Sequence, residues 1–521
     1  MKKNKKRLLI IIIIIIILLL ISIISLTILK NKKKTNDIDI TNNNSPYKIS
    51  GNALDAFDLY FLQSNNKNKN VIYSPLSIKY ALSMLSDAST DKTHTEIVNI
   101  LGNFETKKYV NNQNLSLANA MFINNSYKKN IKDTYINLIK NNYNAEIIYD
   151  SFESANNINK WVKNKTLGLI DNLLDDTDGL DFLLINALAI DMEWKNVLQP
   201  VNGKEFFDQD HSYDGIDFSV SYAHEEYGMY IGPIMCDIYS KLKFNNKMDA
   251  KAIEIGSSIN NYDIVGELGE QNIRKTVGDA YEAWVAKDEC NQDTYESTNS
   301  YLDHYIKEID KNYKDVATST DYSFYVDDDI KVFQKELKEY NGLSLEYIAF
   351  MPRKISLDKF INNINKDKLD DYISKLKTIE LNNFEKGKIT RVKGLMPLYK
   401  FVYELDLKGT LKNLGIKSVF EPSYASLDNL TNKNAYINEI LHKANIDFSN
   451  EGIKAAAATE GGGAGDTNCG FDYLYEVPVE EIDITFDLPF IFLLRDKNSK
   501  EVWFIGSVYE PTEYSESNTC R

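Results

Sequence analysis

A chain of 521 residues with 43% hydrophobic and 12% aromatic content can bury a large core, which excludes wholesale disorder, and its length suggests two or three domains. Only 10 prolines and 24 glycines exclude collagen-like and proline-rich architectures. The net charge of −15 is unevenly placed: residues 1–34 hold nine cations and no acid, leaving −24 on the rest, a body too acidic to bind nucleic acid.

Residues 1–7 are a short basic tail. Leu8 to Leu29 follows, 22 residues without a charge and with only Ser22, Ser25 and Thr27 polar. At ~1.5 Å per residue this run reaches about 33 Å, enough to cross a bilayer. A signal peptide has a shorter apolar region, ~7–15 residues, before a small-residue cleavage site. This run instead ends in Leu26-Thr27-Ile28-Leu29-Lys30, so an N-terminal transmembrane anchor is expected over 8–29. The short tail favours the cytoplasm for residues 1–7, which puts the body of a single-pass protein outside it. Residues 30–46 are a polar tether.

From residue 47 the elements alternate irregularly, which predicts an α+β body, and no internal repeat interrupts it. Ser74-Pro75 is an N-cap followed by proline at the first helical position, and Ile78, Ala81, Leu82 and Leu85 continue at helical spacing. Leu183–Ile190 is an apolar run broken by one asparagine, suited to a central strand. The segment 233–319 is polar, acidic and rich in tyrosine, carries Cys236 and Cys290, and reads as an insertion with helical stretches near 281–287 and 301–313. Tyr399, Phe401, Tyr403 and Leu405 alternate with polar residues except at Val402, predicting a half-buried strand. A short helix over 407–414 closed by Gly415 comes next. Finally 482–494 and 502–508 flank the turn-like Asp496-Lys497-Asn498-Ser499, predicting a terminal hairpin.

Enzyme signatures are missing. None of His94, His211, His224, His304 and His442 forms an HExxH or a close pair. No serine sits in a GxSxG elbow. Gly461-Gly462-Gly463-Ala464-Gly465 has no following Lys-Ser/Thr, which argues against a phosphate loop. The acidic stretch 175–181 lacks the pattern of a calcium loop and reads as a solvated turn. No metal or cofactor is expected, and the chain is read as a non-enzyme.

The informative stretch is NEGIKAAAAT at 450–459, running into EGGGAGDTNC. Alone it would be an alanine-rich helix and a glycine linker. It lies, however, just after His442-Lys443-Ala444 and ahead of Leu488-Pro489-Phe490 and Phe504-Ile505-Gly506. That layout resembles the serpin family, and the likeness recurs in order. NVIYSPLSIKYALSML (70–85) resembles the family's second-helix motif. NKWVKNKTLGLIDNLL (159–174) is similar to its W-V-x-x-x-T-x-G-x-I segment, with Leu169 where lysine is usual, and INALAIDMEW (185–194) to its central strand. The resemblance covers most of 47–510 and excludes the anchor, the insertion and the tail after Pro511. The wealth of Lys, Asn and Ile suits an AT-rich microbial source.

The resemblance implies a serpin fold of three β-sheets with surrounding helices and an exposed reactive-centre loop, here 450–480. It implies a suicide-type inhibitor: a serine or cysteine protease attacks the loop, and the cleaved loop inserts into the main sheet and traps the acyl-enzyme. The hinge would comprise Asn450, Glu451, Gly452, Ile453, Ala455, Ala456, Ala457, Ala458 and Thr459. With Ile453, Ala455, Ala457 and Thr459 facing inward, the buried side is uncharged. Asn450 replaces the usual glutamate and Ile453 the usual threonine or serine. Counting forward puts the reactive bond between Asp466 and Thr467, but the loop is about a dozen residues longer than the family norm by the same count. A bond around 469–475 therefore stays open. Ser74, Ser77, Asn186 and His442 match the family's shutter, and Trp194 matches the tryptophan where insertion begins.

The implied partner is a target protease in a covalent complex with a monomeric inhibitor, with the membrane as a second partner. Four cysteines allow three pairings; Cys236–Cys290 is the natural one, which leaves Cys469 as a thiol in the bait. The alternative function is a non-inhibitory serpin-fold binding protein or chaperone.

Overall fold

The computed structural model describes residues 45–207, 211–219, 228–230, 320–379, 389–450, 474–476 and 479–512. The expected anchor at 8–29, the insertion at 233–319 and all four cysteines lie outside these residues. Among the described residues no helix is long and apolar enough to cross a membrane.

The chain opens with helix α1 (Ala56–Asn65), where a capping box ties the N-cap Asp55 and Asp58 to each other's backbone. Strand β1 (Val71–Tyr73) then leads into α2 (Pro75–Ala88), the helix expected from Ser74-Pro75. Ile78, Ala81, Leu82 and Leu85 are buried as their spacing requires, but so is nearly every other residue of α2, Lys79 included. The reason is position: α2 packs on both large sheets and presents no face to solvent. Next come α3 (Asp91–Leu101), β2 (Leu115–Asn124), α4 (Asp133–Tyr143), β3 (Glu146–Asp150), α5 (Asn156–Lys165) and β4 (Phe182–Ile190). The acidic stretch 175–181 is an irregular, largely exposed turn leading into β4.

Strands β5 (Gln199–Lys204), β6 (Tyr213–Asp217) and β7 (Gly228–Tyr230) follow. Beyond the undescribed stretch come β8 (Ser323–Val326), β9 (Ile330–Glu336) and β10 (Leu345–Pro352), then α6 (Leu357–Asn363) and α7 (Lys366–Ser374). The last part holds β11 (Ile389–Lys393), β12 (Leu395–Pro397), β13 (Tyr399–Leu405), α8 (Leu407–Leu414) and β14 (Glu439–Phe448). It ends with β15 (Leu474–Glu476), β16 (Val479–Asp483), β17 (Phe490–Asp496) and β18 (Val502–Val508).

A six-stranded sheet runs β1-β18-β17-β10-β9-β8, and a five-stranded sheet runs β13-β14-β4-β2-β3. A three-stranded sheet, β12-β6-β5, and two ribbons, β11–β16 and β7–β15, complete the pairing among the described residues. The short helix and its stop are where the sequence puts them: Asp406 Oδ1 accepts from the Gly409 N–H, and Gly415 closes α8 at φ 102°, a left-handed conformation natural to glycine. In β13 the pattern-breaking Val402 is 51% exposed, so the alternation holds and an apolar side chain is left in solvent.

One expectation is corrected. The stretch 482–494 is not a single hairpin arm. Ile482 and Asp483 pair with β11, and the Ile484 and Phe486 N–H groups donate to Lys393 and Leu395 carbonyls. Pro489, which has no N–H to continue a ladder, precedes the change of sheet. Only β17, from Phe490, pairs with β18. Gly506 in that pair is required: a Cβ there would sit 2.4 Å from the Phe492 ring and 2.6 Å from the Val71 carbonyl oxygen.

Candidate functional site

The five-stranded sheet is continuous except at one seam. Strand β4 pairs with β2 along its whole length, from Phe182 opposite Ile123 to Ile190 opposite Leu115. Strand β14 pairs with β13 from His442 opposite Leu405 to Phe448 opposite Tyr399. Between β4 and β14, which run parallel, pairing covers only Leu183–Ile185 with Glu439–Leu441. Above that point Asn186–Ile190 and His442–Phe448 form no ladder with each other. The β4 edge there is buried and the β14 edge half-buried, and both are open to a further strand.

The residues expected at this seam are only partly brought together. His442 is the first residue of β14 beyond the paired stretch, and its Nε2 accepts the Ser74 N–H at 2.9 Å. Ser74 Oγ in turn accepts the Ser77 N–H at 3.1 Å. Burial pushes the His442 imidazole down to about 4, so it is neutral in the folded protein. Asn186 belongs to a separate pair: its amide donates to Asn119 Oδ1, and Asn119 donates to the Tyr143 carbonyl at 3.1 Å. Asn119, opposite Asn186 in the ladder, went unnoticed in the sequence. The signal for it was an asparagine in the middle of the largely apolar run LSLANAMFI. Ser77 Oγ and Asn186 Oδ1 are buried with no partner among the described residues, so the cluster keeps bonding capacity for another arrangement.

At the open end, Trp194 is 1% exposed and its indole N–H donates to the Ser449 carbonyl at 3.0 Å. The Leu198 N–H donates to the Asn450 carbonyl, also at 3.0 Å, so the last described residues before the loop are held by the segment after β4. Trp194 packs edge-on against Tyr347 and Phe448, and Tyr399 stacks on Phe448 with centroids 4.6 Å apart. Below them the Tyr347 and Tyr399 hydroxyls meet at 2.8 Å, and burial pushes both phenols up.

A connector crosses the seam. Residues 166–181, between α5 and β4, are bonded to β14 and the residue before it. Lys443 Nζ donates to the Asn172 carbonyl and Asn445 Nδ2 to the Leu169 carbonyl, each at 2.8 Å. Asn438 receives the Asp181 and Phe182 N–H groups on Oδ1 and donates to the Gly179 carbonyl. Asn159 of α5 binds Leu173 and Leu174 in the same way.

Of the expected hinge, only Asn450 is described; Glu451 to Thr459, and Asp466 and Thr467, lie outside the described residues. Beyond the loop, Leu474, Tyr475 and Glu476 pair antiparallel with Tyr230, Met229 and Gly228. That ribbon occupies the far end of the alternative bait range. Among the described residues no cluster of His, Cys, Asp and Glu could hold a metal ion.

Comparison with known proteins decides the family. The family model described as Serpin (serine protease inhibitor) matches residues 51–214 and 288–511. The chain belongs to the serpin family. The stretch this serpin leaves unmatched, 215–287, overlaps the segment read as an insertion. Mouse neuroserpin is 21% identical over 479 residues, covering 86% of this chain and 88% of its own. An uncharacterized serpin-like protein of Methanosarcina mazei is 22% identical over 499 residues, covering 89% and 87%. Among solved structures, the native-state thermophilic serpin tengpin superimposes with a TM-score of 0.55 at 19% identity, over 89% of this chain and 96% of that one. Thyroxine-binding globulin in complex with thyroxine gives 0.54 at 18% identity, over 88% and 97%. These likenesses show the serpin fold.

Proposed function

We propose that this serpin is a suicide inhibitor of serine or cysteine proteases, held at a membrane by residues 8–29 with its body outside the cytoplasm. The observation that carries the reading is the seam between β4 and β14, whose ladder stops after three residues and leaves two facing edges unpaired beside the end of β14 from which the loop departs. A strand entering there gains backbone hydrogen bonds on both sides and buries alternate side chains. The inward-facing Ile453, Ala455, Ala457 and Thr459 are uncharged and suit that slot. Inhibition is then a race. Insertion drags the acyl-linked protease away before water cleaves the ester or thioester.

In this reading Ser74, Ser77, Asn186 and His442 are the shutter that rearranges as the strands part, and Trp194 guards the end where insertion starts. The β7–β15 ribbon holds Leu474 and Tyr475, which favours a reactive bond ahead of them, at Asp466–Thr467 or within 469–473. Aspartate before the bond would select a protease with a basic specificity pocket.

The test is incubation of the full chain with a panel of serine and cysteine proteases, aspartate-directed ones included. The expected result is an SDS-resistant complex, with the released fragment's mass giving the bond. Cleavage across the whole panel with no complex overturns inhibition and leaves the non-inhibitory reading, for which the bulk of Ile453 in the hinge is the specific argument. Membrane attachment is tested apart, by resistance of the full chain to alkaline extraction and its loss on deleting 8–29.

A further inference from the structure

Beside the open half of the seam lies a cavity of about 210 Å³. Its walls include Leu169, Ile190, Trp194, Tyr347, Phe448 and Phe492, so it is lined mainly by aliphatic and aromatic side chains. Dry apolar cavities of about 150 Å³ already accept a benzene-sized molecule, so this one has room for one or two rings.

Four lining residues are polar, Asp191, Lys400, Asn445 and Asp447, and among them Asn445 has a buried atom without a partner. Asn445 donates its Nδ2 to the Leu169 carbonyl at 2.8 Å, which fixes the amide and leaves Oδ1 as the free end. That oxygen is buried and has no hydrogen-bond partner among the described residues. A buried acceptor without a donor is costly, and a ligand hydroxyl or N–H would relieve it. Charge narrows the class further. Asp191 and Asp447 also line the cavity, and Lys400 is already paired with Asp447 at 2.6 Å, so an anion would find no spare cation.

We propose that this cavity is a binding site for a small neutral aromatic molecule of one or two rings that carries a hydrogen-bond donor. The donor meets Asn445 Oδ1, and the rings lie against the apolar wall that includes Leu169, Ile190, Trp194 and Phe448. The consequence, though not the site, rests on the inhibitory reading. Residues 445–448 line the cavity and also flank the slot the loop would enter, so bound molecule and inserted strand exclude each other. A filled cavity slows insertion, and the protease then cleaves the loop and leaves.

The test is calorimetric titration of the full chain with 2-naphthol, with naphthalene as the same ring system lacking the donor. The expected result is that 2-naphthol binds at least about fivefold more tightly than naphthalene, the increment of one neutral hydrogen bond. In Asn445→Leu the two bind alike. In Ile446→Trp, which fills the cavity from a half-buried position, neither binds. Equal binding of both probes to the unaltered chain, or 2-naphthol binding undiminished in Ile446→Trp, overturns the site. A synthetic peptide with the sequence of residues 453–460 is then added to the 2-naphthol complex. Displacement supports the exclusion. Retained 2-naphthol alongside bound peptide overturns the exclusion while leaving the site. Failure of the peptide to bind the ligand-free chain counts instead against loop insertion.

Discussion

At the scale of single residues, two buried groups carry charges the fold has to manage. His442 is held neutral because burial lowers its imidazole to about 4 from an ordinary 6.5. The unfolded chain therefore binds the extra proton first as the pH falls, and stability conferred by the neutral form is full above about 6.5 and lost toward 4. The shift corresponds to about 3 kcal/mol, so the urea midpoint should fall across that window. His442→Gln, which keeps an acceptor for the Ser74 N–H, should flatten the fall, and an unchanged slope would refute the assignment. The second group is Lys79, whose ammonium lies 2.6 Å from Asp58 with both side chains fully buried. It also lies over the Phe57 and Phe104 rings at 5.9 and 5.7 Å. Removing one partner strands the other, so Lys79→Met should cost roughly 3–5 kcal/mol. Asp58→Asn with Lys79→Met removes both charges and keeps an acceptor for the Asp55 N–H, and should recover most of that loss in urea melts. Neither charge was legible in the sequence pattern, which marks Lys79 as an ordinary polar helix residue; only the crossing of α2 between two sheets buries it.

At the scale of elements, the strongest local signals were read correctly because they are local. Ser74-Pro75 starts α2 and Gly415 stops α8 through cap chemistry confined to a few residues. The apolar run of β4, broken only by Asn186, announced a central strand, and every residue of it is buried. What the pattern missed depends on partners far along the chain. The stretch 482–494 looks uniformly strand-like, but it is shared between two sheets because different partners meet its two halves. Asn119 matters only because β2 sets it opposite Asn186. The connector 166–181 is the clearest case, since its hold on β14 is built from Asn438, Lys443 and Asn445, each ordinary in sequence. If a strand enters the seam, these bonds lie in its way. Asn438→Ala removes two bonds to the connector, received from the Asp181 N–H and donated to the Gly179 carbonyl, with those to the Phe182 N–H and the Tyr436 hydroxyl, and leaves the Leu183–Ile185 ladder in place. It should speed spontaneous conversion to the loop-inserted form several-fold, measured as loss of inhibitory capacity on mild heating. An unaltered rate would mean the connector imposes no barrier.

At the scale of the molecule, the acidic body and its length carry less functional information than one unfinished ladder. In the five-stranded sheet β4 pairs with β2 along its whole length and β14 with β13 over seven residues, while the parallel neighbours β4 and β14 pair with each other over only three. Each buried strand edge left open and each buried polar atom without a partner forgoes a hydrogen bond, a cost that an inserted strand would recover. Filling the slot with the chain's own loop would complete both edges, close the cavity beside Trp194 and bring Ala455 and Ala457 under cover. In the proposed mechanism the uncut loop is held at both ends, by the Leu198 N–H on the Asn450 carbonyl and by the β7–β15 ribbon on Leu474–Glu476. Cutting between those anchors frees the hinge side alone. Limited cleavage of the full chain within the loop should therefore raise the melting temperature by tens of degrees, far beyond the few degrees that ~1 kcal/mol supplies in a domain of this size. Ala457→Arg, which sets a charge on the face that must be buried, should be cleaved as readily yet gain little. If the cut chain melts where the intact one does, the seam is a resting gap and not a slot, and the inhibitory mechanism fails with it.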